Sequence, residues 1–318
     1  MNWKKIGKIF NPLEHQLYNN CKQYAQSPQA LVFKDFIRIY FSTRQIEDDG
    51  KHLSNIMYVD YSKDFKTILK VSNHEIIKLG NLGCYDEHGI FPLNVLRHND
   101  LIYGFIGGWN RRYSVLVDGA IGLAISKDEG ETFQRIGDGP VMGPNLKEPF
   151  LVADPFVKIY DNTFHMWYIF GERWIEFKKD CPPERIYKIA HATSKDGINW
   201  DRNGKFIIPD SLAEEESQAL PTVIKIGNTY HMYFCYRYAA DFRTNVNRGY
   251  RIGYAYSSDM INWTRDDKNA GIQLSDENEW DSTMMCYPHI FESDNKIFML
   301  YNGNDFGKTG FGIAELIS

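Results

Sequence analysis

The chain has 318 residues, a formal net charge of -5 and a sequence pI near 6.0, without the basic stripe that tracks a nucleic-acid backbone. Its five cysteines (Cys21, Cys84, Cys181, Cys235, Cys286) are scattered and form no CxxC pair, which argues against a zinc site or a disulfide framework. No apolar run is long enough to cross a membrane, and MNWKKIGKIFNP lacks the apolar stretch of a secretory signal, so a cytoplasmic location is expected.

Taken in chain order, the sequence is a repeat. The opening segment, Asn2-Trp3-Lys4-Lys5-Ile6-Gly7-Lys8, is a stray copy of Asn199-Trp200-Asp201-Arg202-Asn203-Gly204-Lys205. Residues 12–24 are compatible with short turns of helix, as are residues 210–218. Then comes Pro28, which reads as the first residue of a strand, where proline costs no ladder hydrogen bond. A turn at Lys34-Asp35, a strand IRIYFS and a strand MYVDYS follow, and the last ends in the tight turn Ser62-Lys63-Asp64. The same order recurs from Pro92, Pro155, Pro221 and Pro288, at spacings of 64, 63, 66 and 67 residues. The Ser-Asp turns recur at Ser126-Lys127-Asp128, Ser194-Lys195-Asp196 and Ser257-Ser258-Asp259. Serine and aspartate bond their own backbone in such turns, so each marks a hairpin. Phe133, Trp200 and Trp263 follow these turns in phase, and Trp200, Trp263 and Trp3 read as packing residues of the repeat.

Each unit of about 65 residues therefore reads as four antiparallel strands, the composition of a propeller blade. The fold class expected is all-β: a single five-bladed β-propeller over residues 1–318, with blade cores at about 25–75, 85–140, 150–208, 216–270 and 281–318 plus 1–11. The last unit ends at FGIAELIS without a fourth strand, and the stray N-terminal copy supplies it. That pairing closes the ring and hides the terminal edge.

Strand direction then places the site. Loops on a rigid scaffold carry function, and the long loops leave the second strands on the face where the inner strands begin. Ahead of the inner strands lie Asp86 and His88, Asp154, Glu214 to Glu216, and Asp281. At or beyond the ends of the second strands lie Arg44, Trp109, Arg111, Trp174, Tyr236, Arg237, Asn302 and Asn304, with Tyr287 beside Pro288. Sugars need flat aromatic faces and convergent polar groups, and cleavage of a glycosidic bond needs carboxyl groups flanking it. The expected catalytic set is Asp86, Asp154, Glu216 and Asp281. The expected substrate contacts are His88, Trp109, Arg111, Trp174, Tyr236, Arg237, Tyr287, Asn302 and Asn304. The isolated histidines His88 and His289 do not make a metal site, and no cofactor is expected.

The S-x-D-G-x-x-W turn, the strand YHMYF and the D-P-x-V strand resemble the five-bladed propeller glycosidases: arabinanases and xylosidases, invertases and fructanases, and mannoside phosphorylases. The segments WDSTMMCYPHIF, EESQALPTVI and YNGNDFGKTGFGIA resemble members of that superfamily associated with polysaccharide biosynthesis. The resemblance implies an early-blade Asp as base or nucleophile, a transition-state-stabilising Asp and a later Glu as general acid. Asp154, in VADPFV, matches the stabilising position. Ser27 stands where the early Asp would, with Asp86 as its substitute. Ala219 stands where the acid would, with Glu216 nearby as the candidate. The function implied is a carbohydrate-active enzyme on a glycosidic linkage, as hydrolase, phosphorylase or glycosyl transferase. A non-catalytic carbohydrate-binding propeller is the alternative. The expected partner is an oligosaccharide or glycoconjugate, and the sequence assigns no oligomeric state.

Overall fold

The computed structural model describes residues 1–179, 181–213 and 215–317. The first strand, β1 (Trp3–Phe10), stands apart from the strands that follow it in sequence. A first group pairs in order: β2 (Gln23–Val32), β3 (Phe36–Ile46), β4 (His52–Ser62) and β5 (Ile68–Val71). A second does the same: β6 (Gly89–His98), β7 (Leu101–Arg111), β8 (Val117–Ser126) and β9 (Gln134–Arg135). A single parallel bridge between Ser54 and Gly89 joins these two groups into one continuous sheet. The third group is β10 (Val152–Tyr160), β11 (Thr163–Ile175), β12 (Glu184–Ser194) and β13 (Asp201–Phe206). The fourth is β14 (Glu216–Ile226), β15 (Thr229–Tyr238), β16 (Arg251–Ser257) and β17 (Thr264–Arg265). The last is β18 (Cys286–Ser293), β19 (Lys296–Asn302) and β20 (Phe311–Leu316), and β1 pairs antiparallel with β20, Trp3 opposite Leu316.

Pairing of the N-terminal strand with the last group is the register read from the stray repeat copy. The expected helical turns reduce to 3-10 turns at Pro12–Glu14 and Tyr18–Asn20. Residues 216–218 belong to β14, because they enter a strand buried on both sides. Glu214 lies outside the described residues.

Inner strands are buried almost continuously, whereas β13 and β5 are largely exposed, as befits polar edge strands. The first strands touch in series, β2 to β6 to β10 to β14 to β18, and β18 touches β2. Apolar layers fill the space between neighbouring groups. Phe10, Phe41, Leu300 and Phe311 pack the last group against the first, with Phe10 stacked on Phe311 at 5.3 Å. Trp3 is buried and its indole donates to Tyr233 Oη at 2.9 Å. The Ser-Asp turns close as expected: Ser194 Oγ accepts from the amides of Asp196 and Gly197, and Asp196 accepts from those of Ile198 and Asn199.

The repeated prolines differ from expectation. They do not open the inner strands but sit inside them, each at a β-bulge. Residues 154 and 155 together face the one residue between Trp167 and Ile169, and the same slip occurs at Pro28, Pro92, Pro221 and Pro288. A bulge leaves one residue unpaired, so the missing proline N–H costs nothing there. The preceding residue takes a left-handed backbone in four cases: Ser27 (φ 52°), Asp154 (φ 55°), Leu220 (φ 47°) and Tyr287 (φ 58°). The fifth, Phe91, precedes a cis proline.

Candidate active site

Three of the five bulges, at Phe91, Asp154 and Tyr287, turn their side chains to a cavity on the face where the inner strands begin, whereas Ser27 and Leu220 are buried outside it. The cavity has two lobes of about 220 and 330 Å³. Gln26, Arg44, Arg185, Tyr187, Tyr250 and Tyr287 line both. The first lobe adds Phe91, Trp109, Asp118, Ile169, Ala219 and Asp154. The second adds Tyr24, His52, Arg237, Phe242, Arg243 and Phe306.

Asp154 is the carboxyl group that the bulge of β10 carries into the first lobe. It is 5% exposed, and its Oδ2 accepts from the Leu220 amide at 3.2 Å. Burial raises its pKa to about 7, against the opposing pull of that amide and of Arg185. A carboxyl group poised there can give or take a proton at neutral pH. Asp118, at the start of β8, also lines this lobe and is paired with Arg112.

The second lobe is cationic. Arg44 donates from Nε to Gln26 Oε1 at 3.2 Å and, among the described residues, has no carboxylate partner. Burial holds its pKa below the usual guanidinium range. Arg237 is 1% exposed and donates to Tyr238 O, Ala239 O and Tyr187 Oη at 2.9, 3.2 and 3.0 Å. Its Nε has no partner, and it too lacks a carboxylate among the described residues. Tyr187 and Tyr250 share a hydrogen bond of 2.6 Å, and burial pushes the phenols of Tyr250 and Tyr287 far up, keeping them protonated. Arg243 and Arg185 lean on one carboxylate, Glu184. Buried guanidinium without a counter-charge is costly, and an anion in this lobe would offset it. Among the described residues, no group of three His, Cys, Asp or Glu could hold a metal ion.

The structure does not gather the four expected catalytic carboxylates. Only Asp154 lines the cavity. Asp86, Glu216 and Asp281 are fully buried away from it, each clasped by a cation of the fourth strand in its own group. Asp86 pairs with Arg135 of β9, Glu216 with Arg265 of β17 at 2.6 Å, and Asp281 with Lys5 of β1 at 2.7 Å. A fourth clasp, Glu148 with Arg202 of β13, has the same form and was not singled out from the sequence. These carboxylates sit ahead of buried strands because they tie the outer strand to the inner one.

Of the expected substrate contacts, Trp109, Arg237 and Tyr287 line the cavity. His88 stacks beside Trp109 at 6.1 Å, one layer behind it. Arg111 turns outward to Glu47 at 2.6 Å and His52 O at 2.7 Å. Trp174 packs against the core, and Tyr236 lies over the Arg265 guanidinium at 4.5 Å. Asn302 is consumed in bonds to Ser27 N, Ala25 O and Gly310 O, each 2.8 Å. Asn304 caps the loop through Thr283 N at 2.8 Å and Met284 N at 3.2 Å. None of these six lines the cavity, and the polar groups of Arg111, Asn302 and Asn304 are spent on the segments that frame it. Sequence reading passed over Arg185, Tyr187 and Tyr250, which come from third strands and their entry loops.

No known family model matches the chain. The uncharacterized protein MT1551 of Mycobacterium tuberculosis (strain CDC 1551 / Oshkosh) is 32% identical over 318 residues, covering 99% of both chains. This chain belongs to the same family as MT1551. Protein Rv1502 of Mycobacterium tuberculosis (strain ATCC 25618 / H37Rv) matches the MT1551-family chain equally, at 32% identity over 318 residues. Beyond this family, 1,2-beta-oligomannan phosphorylase of Thermoanaerobacter sp. (strain X514) is 30% identical over 156 residues, covering 46% of this chain and 47% of the phosphorylase. Among solved structures, a glycoside hydrolase superposes with a TM-score of 0.74 at 16% identity, covering 99% of this chain and 93% of its own. A thermostable family-43 glycoside hydrolase gives 0.68 at 16% identity, covering 95% and 93%. Beta-1,2-mannobiose phosphorylase from Listeria innocua, in complex with beta-1,2-mannobiose, gives 0.67 at 12% identity, covering 99% and 97%. The all-β, propeller-like fold is shared with these structures.

Proposed function

We propose that this protein is a carbohydrate-active enzyme that breaks or makes a glycosidic linkage with phosphate as the second substrate. One observation carries the reading: a single neutral-range carboxyl group, Asp154, shares a divided cavity with Arg44 and Arg237, two guanidiniums lacking a carboxylate partner among the described residues. The glycosyl unit sits in the first lobe against Trp109 and Phe91, and phosphate sits in the second. A phosphate oxygen forms a bond to the anomeric carbon as the glycosidic C–O bond breaks. The leaving oxygen takes the proton from Asp154, which regains one from solvent or from the next acid phosphate. Arg44 and Arg237 hold the phosphate charge, and Tyr187, Tyr250 and Tyr287 offer hydroxyl donors.

Partial identity to the oligomannan phosphorylase supports a β-1,2-linked mannoside as the first substrate to try. The absence of a second carboxylate at Ala219 and Ser27 favours phosphorolysis over two-carboxylate hydrolysis. A five-bladed closed propeller, one domain over residues 1–318 with the blade cores given above, is the architecture this reading uses. The serial contacts of the first strands, returning from β18 to β2, support it.

The test is incubation with a panel of oligosaccharides that includes β-1,2-mannobiose, with and without phosphate, read by mass spectrometry. A sugar phosphate that forms only in the phosphate arm is expected. Free sugar released at equal rates in both arms would overturn phosphorolysis in favour of hydrolysis. Saturable sugar binding without turnover would leave a binding module.

A further inference from the structure

The second lobe is larger than a single orthophosphate needs. It holds about 330 Å³, against about 220 Å³ in the lobe given above to a whole glycosyl unit. Its cations are also more numerous than one phosphate offsets. Arg44, Arg185, Arg237 and Arg243 all line it, and among the described residues one carboxylate, Glu184, pairs with any of them. Four guanidiniums less one carboxylate leave three positive charges. Orthophosphate brings about two negative charges at neutral pH, whereas two linked phosphoryl groups bring about three.

The arginines also stand in two tiers. Arg44 and Arg185 line both lobes, so they sit at the junction, where a phosphoryl oxygen must lie to reach a sugar in the first lobe. Arg237 and Arg243 line the second lobe and not the first. Phe242 holds these two as a pair, its ring 3.5 Å from the Arg237 guanidinium carbon and 4.1 Å from that of Arg243. Guanidinium forks suit phosphoryl oxygens. An orthophosphate at the junction leaves the outer tier without an anion; a second phosphoryl group linked to the first supplies one.

We propose that the second lobe is built for a diphosphate, and that the glycosyl group is exchanged with it to give a glycosyl diphosphate. The assignment rests on the glycosidic reading of the main cavity. An oxygen of the inner phosphoryl group forms the bond to the anomeric carbon as the glycosidic C–O bond breaks, and the departing oxygen takes the Asp154 proton. In the opposite direction the diphosphate leaves with the electron pair of its C–O bond, and Asp154 takes the proton of the incoming hydroxyl. The diphosphate stays on the second-lobe side of the anomeric carbon, and the departing oxygen stays beside Asp154 in the first lobe. Orthophosphate fills the inner position alone, which preserves the reaction described above.

Calorimetric titration in metal-free buffer with orthophosphate, pyrophosphate, UDP and farnesyl diphosphate, the last below micellar concentration, tests this without needing turnover. Pyrophosphate is expected to bind at least about tenfold tighter than orthophosphate, the worth of one further charge-assisted contact. A further gain with UDP would name a nucleoside as the group attached to the diphosphate, and a further gain with farnesyl diphosphate would name a lipid. Arg243→Gln, at a side chain 46% exposed, should weaken pyrophosphate binding about tenfold more than orthophosphate binding, and Arg44→Gln should weaken both alike. Pyrophosphate no tighter than orthophosphate, or an advantage untouched by Arg243→Gln, would overturn the diphosphate assignment. Diphosphate preference with no glycosyl transfer to either anion would sink the proposed reaction and leave the lobe assignment standing. A sugar phosphate formed from orthophosphate, with pyrophosphate unbound, would do the reverse.

Discussion

The amide of Leu220 donates to the carboxylate of Asp154 across 3.2 Å, and these two residues occupy the same place in successive strand groups. Each precedes the inner-strand proline, and each has a left-handed backbone. One copy of the bulge thus supplies the carboxyl group, and the next copy holds it.

Asp154 makes stability depend on pH in a definite direction. Its pKa is raised in the folded state to about 7, so the unfolded chain gives up this proton first. The contribution favouring folding is present in acid, and it is lost as pH rises from the ordinary carboxylate range towards 7. Asp154→Asn removes that loss. Thermal unfolding should show the variant stabilised at pH 8 by up to about 4 kcal/mol and near wild type at pH 4. A variant equally shifted at both pH values would contradict this.

The same proton sets the rate. With Asp154 as the acid, kcat/KM should fall about tenfold per pH unit above pH 7, and Asp154→Asn should abolish turnover while retaining sugar binding. A pH–rate profile on a working substrate reads this directly, and an unchanged alkaline limb in a residually active variant would refute the role.

Arg44 is the cleaner probe of the anion lobe, because Arg237 also braces Tyr187 and two carbonyls. Arg44→Gln should weaken phosphate binding by about tenfold to a hundredfold, a loss of about 1.5–3 kcal/mol, the usual worth of a charge-assisted hydrogen bond. Phosphate titration by calorimetry or phosphorus NMR measures it. Unaltered phosphate affinity would remove Arg44 from the site.

The buried clasps separate stability from chemistry. Asp281→Ala leaves Lys5 and Tyr301 facing an empty place, and should cost about 3–5 kcal/mol in denaturant unfolding. Pairing Asp281→Leu with Lys5→Met should recover most of that loss. Turnover per folded molecule should stay at the wild-type level in the double variant. A catalytic collapse with intact stability would instead make Asp281 part of the machinery.

The N-terminal strand offers a test of ring closure. Trp3→Ala removes a buried indole and its bond to Tyr233, and should cost about 3–5 kcal/mol. A change under about 1 kcal/mol would show that β1 adds little to the last strand group.

The repeat was legible because its turn chemistry is local: Ser194, Asp196 and Trp200 mark a hairpin within seven residues. The clasps were misread because an acid ahead of a buried strand looks the same whether it meets a substrate or a cation from the fourth strand. A signal was present: Arg135, Arg202 and Arg265 follow Ser126, Ser194 and Ser257 by nine, eight and eight residues, in phase with the repeat. Arg44 could be placed on the correct face, but its importance lies in the partner it lacks. That property belongs to the three-dimensional arrangement, as does the convergence of Arg185, Tyr187 and Tyr250 from third strands. Asp154 was found because the D-P pair coincides with the bulge that aims it.

The bulge works as a mount whose direction is fixed by the backbone and whose cargo is free to vary. Serine, phenylalanine, aspartate, leucine and tyrosine occupy its copies in this one chain. Exchanging a single side chain at Phe91 or Tyr287, the other bulge residues that line the cavity, for an acid would add a proton-handling group beside Asp154 without altering the strand pairing. New chemistry on this scaffold is therefore one substitution away at several positions, and relatives with the same framework can diverge in reaction without diverging in shape.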